Sequence, residues 1–367
     1  IAGRGIFGES KVKGKLPMTG KYMAYVGSYS YTGKAKGITV YDVDVETGKF
    51  IYRCEVEVDN SSYLKASQNG QILYSIADEG VVAFRVLPNG SLARLNSANI
   101  RGMRGCHLST SKADDYIFIS GFHDGKITVL NLNKDGTVGQ IADGVFHKGL
   151  GSVAERSFRP HVSCSRLTPD ERFLMVADLG IDQIKVYRFD HKDGKITLVD
   201  TIRCELESAP KYFMFSSDGR FFYVLYELKN MIEVYSYKEG ERVPIVEKIQ
   251  TIPSTGSKPN QLTAACAMHL SPDEKHLFCS NAGDNTVSMY DRDDETGMLT
   301  MRFCLPISGD YPKDIAIFPD GKHLASINHE GSISFFKIDY EKGLLVMSDR
   351  SIKVNEPNCC EIVKIGD

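Results

Sequence analysis

A short polar turn followed by an apolar strand, written repeatedly along the chain, constrains this sequence more than any other feature. Its clearest copy is Thr168–Tyr187, TPDERFLMVADLGIDQIKVY. Pro169 and Asp170 preset a tight turn, Phe173–Ala177 is an apolar run too short for a helix, and Gln183–Tyr187 alternates as a strand does. Ser217–Val224 leading into Met231–Tyr235 repeats the pattern, as do Pro272–Cys279 into Asn285–Tyr290 and Pro319–Leu324 into Gly331–Phe336. Weaker copies begin at Gln68 and Lys112.

With Asp170 and its counterparts as a ruler, the copies fall at 69, 113, 170, 218, 273 and 320, in steps of 44, 57, 48, 55 and 47 residues. A repeat of about 40–50 residues holding about four short strands is the unit of a β-propeller blade. Six blades are marked this way. Met23–Tyr29 matches the strand after the turn but has no strand before it, and an open edge inside a ring would leave N–H and C=O groups unpaired. Pro357–Lys364 resembles Pro210–Phe215 in position and spacing. The expected fold is therefore all-β, a seven-bladed β-propeller over residues 22–367 whose ring is closed by the C-terminal strand pairing in the first blade. Residues 1–21, rich in Gly and Lys and without a period, read as an arm or leader. The longest connections, Gly149–Arg159 and Pro253–Leu262, are expected together on one face.

Composition agrees and narrows the function classes. The 367 residues are 42% hydrophobic, enough for a large core, yet hold no 18-residue apolar run, so no membrane span is indicated. A net charge of −3 gives no reason to expect nucleic acid. Nine Cys without a CxxC pair, and no signal-peptide pattern, point to free thiols in a reducing cytoplasm. His107, His123 and His269 fall in different repeats without ligand spacing, so no metal is expected, and no Gly-rich strand–helix phosphate loop indicates a nucleotide. Cys106 and Cys266 read as small buried residues, and His276 and His323 as structural parts of the turn. The absence of Trp speaks against the commonest scaffold propellers. Nothing in the sequence fixes the oligomeric state, with a monomer the simpler expectation.

The same ruler indicates what faces the central channel. Seven residues before it, where each innermost strand begins, stand Ser62, Cys106, Ser163, Lys211, Cys266 and Lys313, with Asn358 from the C-terminal strand. At the end of the second strand stand Tyr29, Asp78, Phe122, Leu179, Glu227, Ala282 and His329. Lys211, Lys313, Glu227, Asp78 and His329 are thereby grouped near one mouth, as an anion-binding and acid–base constellation or as a solvated rim of mixed charge.

Blade-specific motifs carry a family resemblance. Gly105-Cys106-His107-Leu108-Ser109, Pro160-His161-Val162-Ser163 with Val176-Ala177-Asp178-Leu179-Gly180, and Ala209-Pro210-Lys211-Tyr212 with Tyr226-Glu227-Leu228 are followed by Met268-His269-Leu270-Ser271-Pro272-Asp273 and Ser280-Asn281-Ala282-Gly283. In this order they resemble the lactonase family of seven-bladed propellers, which includes propeller-type 6-phosphogluconolactonases and carboxy-muconate lactonizing enzymes. The resemblance runs from about Tyr22 to the C-terminus. It implies hydrolysis of a sugar lactone, above all 6-phosphogluconolactone in the pentose phosphate pathway, with a small acidic substrate and no cofactor. The family's second His in blade four is Ser163 here, its blade-five Arg is Lys211, its blade-six Arg is Ala282 and its blade-seven Arg is Lys313. Lys keeps the charge of Arg but loses the bidentate fork. For a lactonase mechanism with the residues that remain, the expected roles are Glu227 as general base aided by His161, Lys211 on the carbonyl oxyanion, and Lys313 on the phosphate or another acidic group. His329, Asp78, Ser163 and Asn281 would complete the substrate contacts. The alternative is a catalytically degenerate propeller that binds an acidic metabolite or a protein partner at the same mouth.

Overall fold

The repeated turn owes its recurrence to a local hydrogen-bond device. Ser67, Thr168, Ser216 and Ser271 each donate to the Asn or Asp at the ruler position, at 2.5–2.8 Å. The same four hydroxyls accept the backbone N–H of Ile72, Phe173, Phe221 and His276, the first residue of the strand that follows. One side chain thus ends the innermost strand and starts its partner in register, as short hydroxyl side chains do in turns. The last copy has Phe318 in that place, and His323 Nδ1 meets Asp320 Oδ2 at 2.9 Å instead. Neighbouring turns are stitched together: Gln68 N–H donates to Asp114, Lys112 N–H to Glu171 and Ser217 N–H to Glu274.

A computed structural model describes residues 20–152, 158–256 and 259–366. Within them, 28 strands form seven four-stranded antiparallel sheets and no helix. The chain folds as a seven-bladed β-propeller. Its innermost strands are Leu64–Ala66, His107–Thr110, Val162–Leu167, Pro210–Phe215, Ala264–Leu270 and Pro312–Ile317 for blades two to seven. Blade one takes its innermost strand from the chain end: Pro357–Gly366 pairs antiparallel with Lys21–Ser28, from Lys21↔Gly366 to Ser28↔Pro357. The expected closure is what the structure has. The expected arm lies outside the described residues except for Gly20 and Lys21, and Lys21 already belongs to the first strand. Parts of the two long connections, 153–157 and 257–258, also lie outside them.

The core sits between blades. Each apolar cluster joins two adjacent sheets, as where Phe173, Met175 and Ile184 of blade four pack on Phe213, Phe222 and Tyr226 of blade five. The closing seam is built the same way, Ala24, Val26, Tyr41 and Phe50 of blade one meeting Phe318, Ala325 and Phe335 of blade seven. Phe50 stacks on Phe318 with centroids 5.4 Å apart. Gly27 is required where blade one meets blade two, since a Cβ there would lie 2.7 Å from the Ser61 carbonyl oxygen and 2.9 Å from Cys359 Sγ.

Candidate active site at the channel mouth

Most of the ring side chains reach the channel because the strands that carry them are bulged. Pro210 pairs with Tyr226 and Tyr212 with Leu225, leaving Lys211 as the extra residue. The same one-residue offset isolates Ser163, Cys266, Lys313 and Asn358. A β-bulge leaves its extra residue out of the ladder and re-aims its side chain. Here five of the seven ring positions are such residues, and all seven line one cavity of about 280 Å³ on the propeller axis. Tyr29, Arg104, Phe122, His123, Leu179 and Glu227 complete its outer wall.

Lys211 Nζ donates to Glu227 Oε2 at 2.6 Å. The two residues begin and end the first hairpin of blade five, so the fold sets them face to face. Burial alone would lower the Lys211 pKa, but the Glu227 carboxylate outweighs it and holds the ammonium above the ordinary lysine value. Lys313 behaves oppositely. Burial, reinforced by the Lys211 ammonium, pushes it down to about 8. Its Nζ lies 4.9 Å from the Tyr29 ring centroid and 3.5 Å from the Tyr29 hydroxyl. Burial raises the Cys106 thiol to about 12 and Cys266 likewise upward, so both stay protonated and neither is a nucleophile.

One step deeper, the channel floor is internally paired. Tyr63, His107, Tyr212, His269 and Asp314 line it. His269 Nε2 meets Asp314 Oδ1 at 2.9 Å, Arg166 donates to the Phe213 carbonyl at 2.9 Å and to the Tyr212 hydroxyl, and Lys65 pairs with Glu361 at 3.4 Å. Burial, with Arg166 nearby, lowers His107 well below the usual histidine pKa, so it is neutral.

Of the expected site residues, Lys211, Glu227, Lys313 and Ser163 line the cavity. The Ser163 hydroxyl is committed to the Pro210 carbonyl at 2.8 Å. Four others are not brought there. His161 stacks on Phe122 at 4.3 Å, and its Nδ1 is held by the Phe122 carbonyl oxygen at 2.6 Å, beside the wall rather than on it. Asn281 is fully buried and bonded to Ser254 and Thr286, a link between connections and not a substrate contact. His329 donates from Nδ1 to the Pro357 carbonyl and stands edge-on behind Tyr29. Asp78 takes two hydrogen bonds from Asn60 and one from Arg104. Arg104 itself escaped the sequence reading. It lies two residues before ring position Cys106, the place His161 holds before Ser163, and that offset was its one available signal.

A wider recess of about 480 Å³ between blades one and two, at the end of the strands away from the mouth, is lined by Arg85 and Lys364 but by no Asp, Glu, His, Ser or Cys. Among the described residues no group of three His, Cys, Asp or Glu side chains is placed to hold a metal ion, and no helix is long and apolar enough to cross a membrane.

Comparison with known proteins adds an independent finding. The profile of the family described as "Lactonase, 7-bladed beta-propeller" matches residues 23–362. A 6-phosphogluconolactonase of Bacillus subtilis is 26% identical over 353 residues, spanning 94% of this chain and 99% of that protein. A candidate 6-phosphogluconolactonase of Bacteroides fragilis, known as a crystal structure, superposes with a TM-score of 0.86 at 30% identity, covering 95% of this chain and 100% of that one. The periplasmic gluconolactonase of Pseudomonas aeruginosa shares the fold, with a TM-score of 0.86 at 24% identity over 94% of this chain and 99% of its own.

Proposed function

The chain belongs to the lactonase family of seven-bladed β-propellers, and on that premise we propose that it hydrolyses a sugar lactone, 6-phosphogluconolactone, to 6-phosphogluconate. The observation that carries this reading is the close Lys211–Glu227 pair, at 2.6 Å, facing a cavity that a second lysine also lines. Lactone hydrolysis needs a base for water, a cation for the developing oxyanion and a grip on the anionic substrate. Glu227 takes the proton of a water as its oxygen bonds to the lactone carbonyl carbon. Lys211 keeps one N–H on Glu227 and offers another to the oxyanion, since an ammonium has three donors. Collapse of the tetrahedral adduct breaks the bond from that carbon to the ring oxygen, which leaves as a hydroxyl carrying the proton returned by Glu227. Lys313 holds the phosphate. Base and oxyanion donor contribute about 10²–10⁴-fold and about 10²–10³-fold, enough for a δ-lactone that already hydrolyses in water. No cofactor enters.

The second reading, binding without turnover, takes the same ion pair as structural. Steady-state hydrolysis by the purified protein separates the two. Saturable turnover above the buffer rate, with kcat lowered about 10²–10³-fold in Lys211→Ala, supports the enzyme. Saturable binding of 6-phosphogluconate without turnover supports the other.

A further inference from the structure

The Lys211–Glu227 pair stands on blade five. A second group reaches the mouth from blades one and seven and from the connection that enters blade three: Tyr29, Lys313 and Arg104. The Arg104 guanidinium carbon and Lys313 Nζ lie 5.0 and 4.9 Å from the centroid of the same Tyr29 ring. An aromatic face attracts such cations. Arg104 is also braced from behind. Its Nη1 donates to Asp78 Oδ1 at 3.0 Å, and Asn60 Nδ2 holds both oxygens of Asp78 at 2.9 and 3.0 Å. Asn60 is fixed in turn by the backbone N–H groups of Ser30 and Tyr31, which donate to its Oδ1 at 2.8 and 3.0 Å. One edge of the guanidinium is thus anchored, while the group lines the cavity and carries further N–H donors.

We propose that Arg104 is the phosphate-recognition residue of this site and sets its preference for a phosphorylated over an unphosphorylated sugar lactone, with Asp78 as its positioning residue. The proposal rests on the lactone-hydrolysis reading. A ligand with an acyl end and a phosphate end meets separate groups: Lys211 and Glu227 at the carbonyl, Arg104 and Lys313 at the phosphate. Lys211 is committed to Glu227, and a lysine offers phosphate a point charge, whereas arginine supplies the planar fork that matches two phosphate oxygens.

The test compares kcat/KM for 6-phosphogluconolactone and for glucono-δ-lactone in the wild type, Arg104→Ala, Arg104→Lys and Asp78→Asn, each checked for an unchanged melt. Arg104→Ala should raise KM for the phosphorylated lactone and lower its kcat/KM about 10–100-fold, the range for hydrogen bonds to a charged group. Glucono-δ-lactone should be unaffected, Arg104→Lys should fall between, and Asp78→Asn should shift the ratio of the two substrates in the same direction by less. Equal loss on both substrates, or no loss on either, overturns the proposal. So does a wild type that turns over only the unphosphorylated lactone, which leaves the lactonase reading standing. A wild type inert toward both removes that reading and this one together.

Discussion

Neutralising Glu227, alone and together with Lys211, separates a working pair from one that only braces the hairpin. The pair is neither exposed nor sealed, its side chains being 27% and 9% accessible. Breaking an exposed pair costs about 0–1 kcal/mol and a buried one about 3–5, which brackets this one at about 1–3 kcal/mol. Glu227→Gln leaves the Lys211 ammonium facing a neutral amide, and Lys211→Met leaves the carboxylate without that donor. Each should lower stability by that amount in a urea melt. The double variant Lys211→Met/Glu227→Gln removes both charges and should recover most of the loss. Activity should follow a different course. Glu227→Gln should lose about 10²–10⁴-fold in kcat on 6-phosphogluconolactone, and the double variant should regain none of it. Recovery of activity together with stability, or a wild-type kcat in Glu227→Gln, would refute the general-base role.

Three further expectations follow from the geometry. With Lys313 at about 8 in the free protein, it is cationic below that pH; kcat/KM for the phosphorylated lactone should be level there and fall about tenfold per unit above it, after subtraction of the buffer rate. Lys313→Arg should abolish that limb because guanidinium stays charged; a limb that persists belongs to another group. Deleting residues from Pro357 onward strips the paired edge of Lys21–Ser28 and the buried Cys359 and Val363, so the shortened chain should aggregate or lose cooperative unfolding, and a soluble chain with an intact melt would contradict the closure. His161→Ala should leave kcat within about twofold while lowering the melt through the lost Phe122 contact; a hundredfold loss in kcat would return His161 to the chemistry.

Much of the fold was legible because its device is local. A Ser or Thr hydroxyl, an Asp two residues on and an apolar strand lie within ten positions, so each copy announces itself. The Lys211–Glu227 pair was legible in part, because the ruler puts both residues at the mouth end of one hairpin, where their side chains meet. Direction was harder to read than position. The ruler locates Asp78 and His329, and the blade motifs locate His161 and Asn281, near strand ends, but neither says which side of the pleat each takes, and all four turn into packing or brace a neighbour. The bulges at Ser163, Lys211, Cys266, Lys313 and Asn358 are invisible without the partner strand, since one extra residue in a ladder has no composition of its own. Arg104 lies on a connection between sheets, where no strand period reaches.

The most direct test is a crystal structure of the protein with 6-phosphogluconate bound. The product should lie in the axial cavity, its carboxylate within hydrogen-bond reach of Lys211 and its phosphate against Lys313 and Arg104. Product found in the recess between blades one and two or on another face, with the Lys211–Glu227 pair undisturbed, would mean that the seven innermost strands converge on a structural channel and that any hydrolysis happens elsewhere.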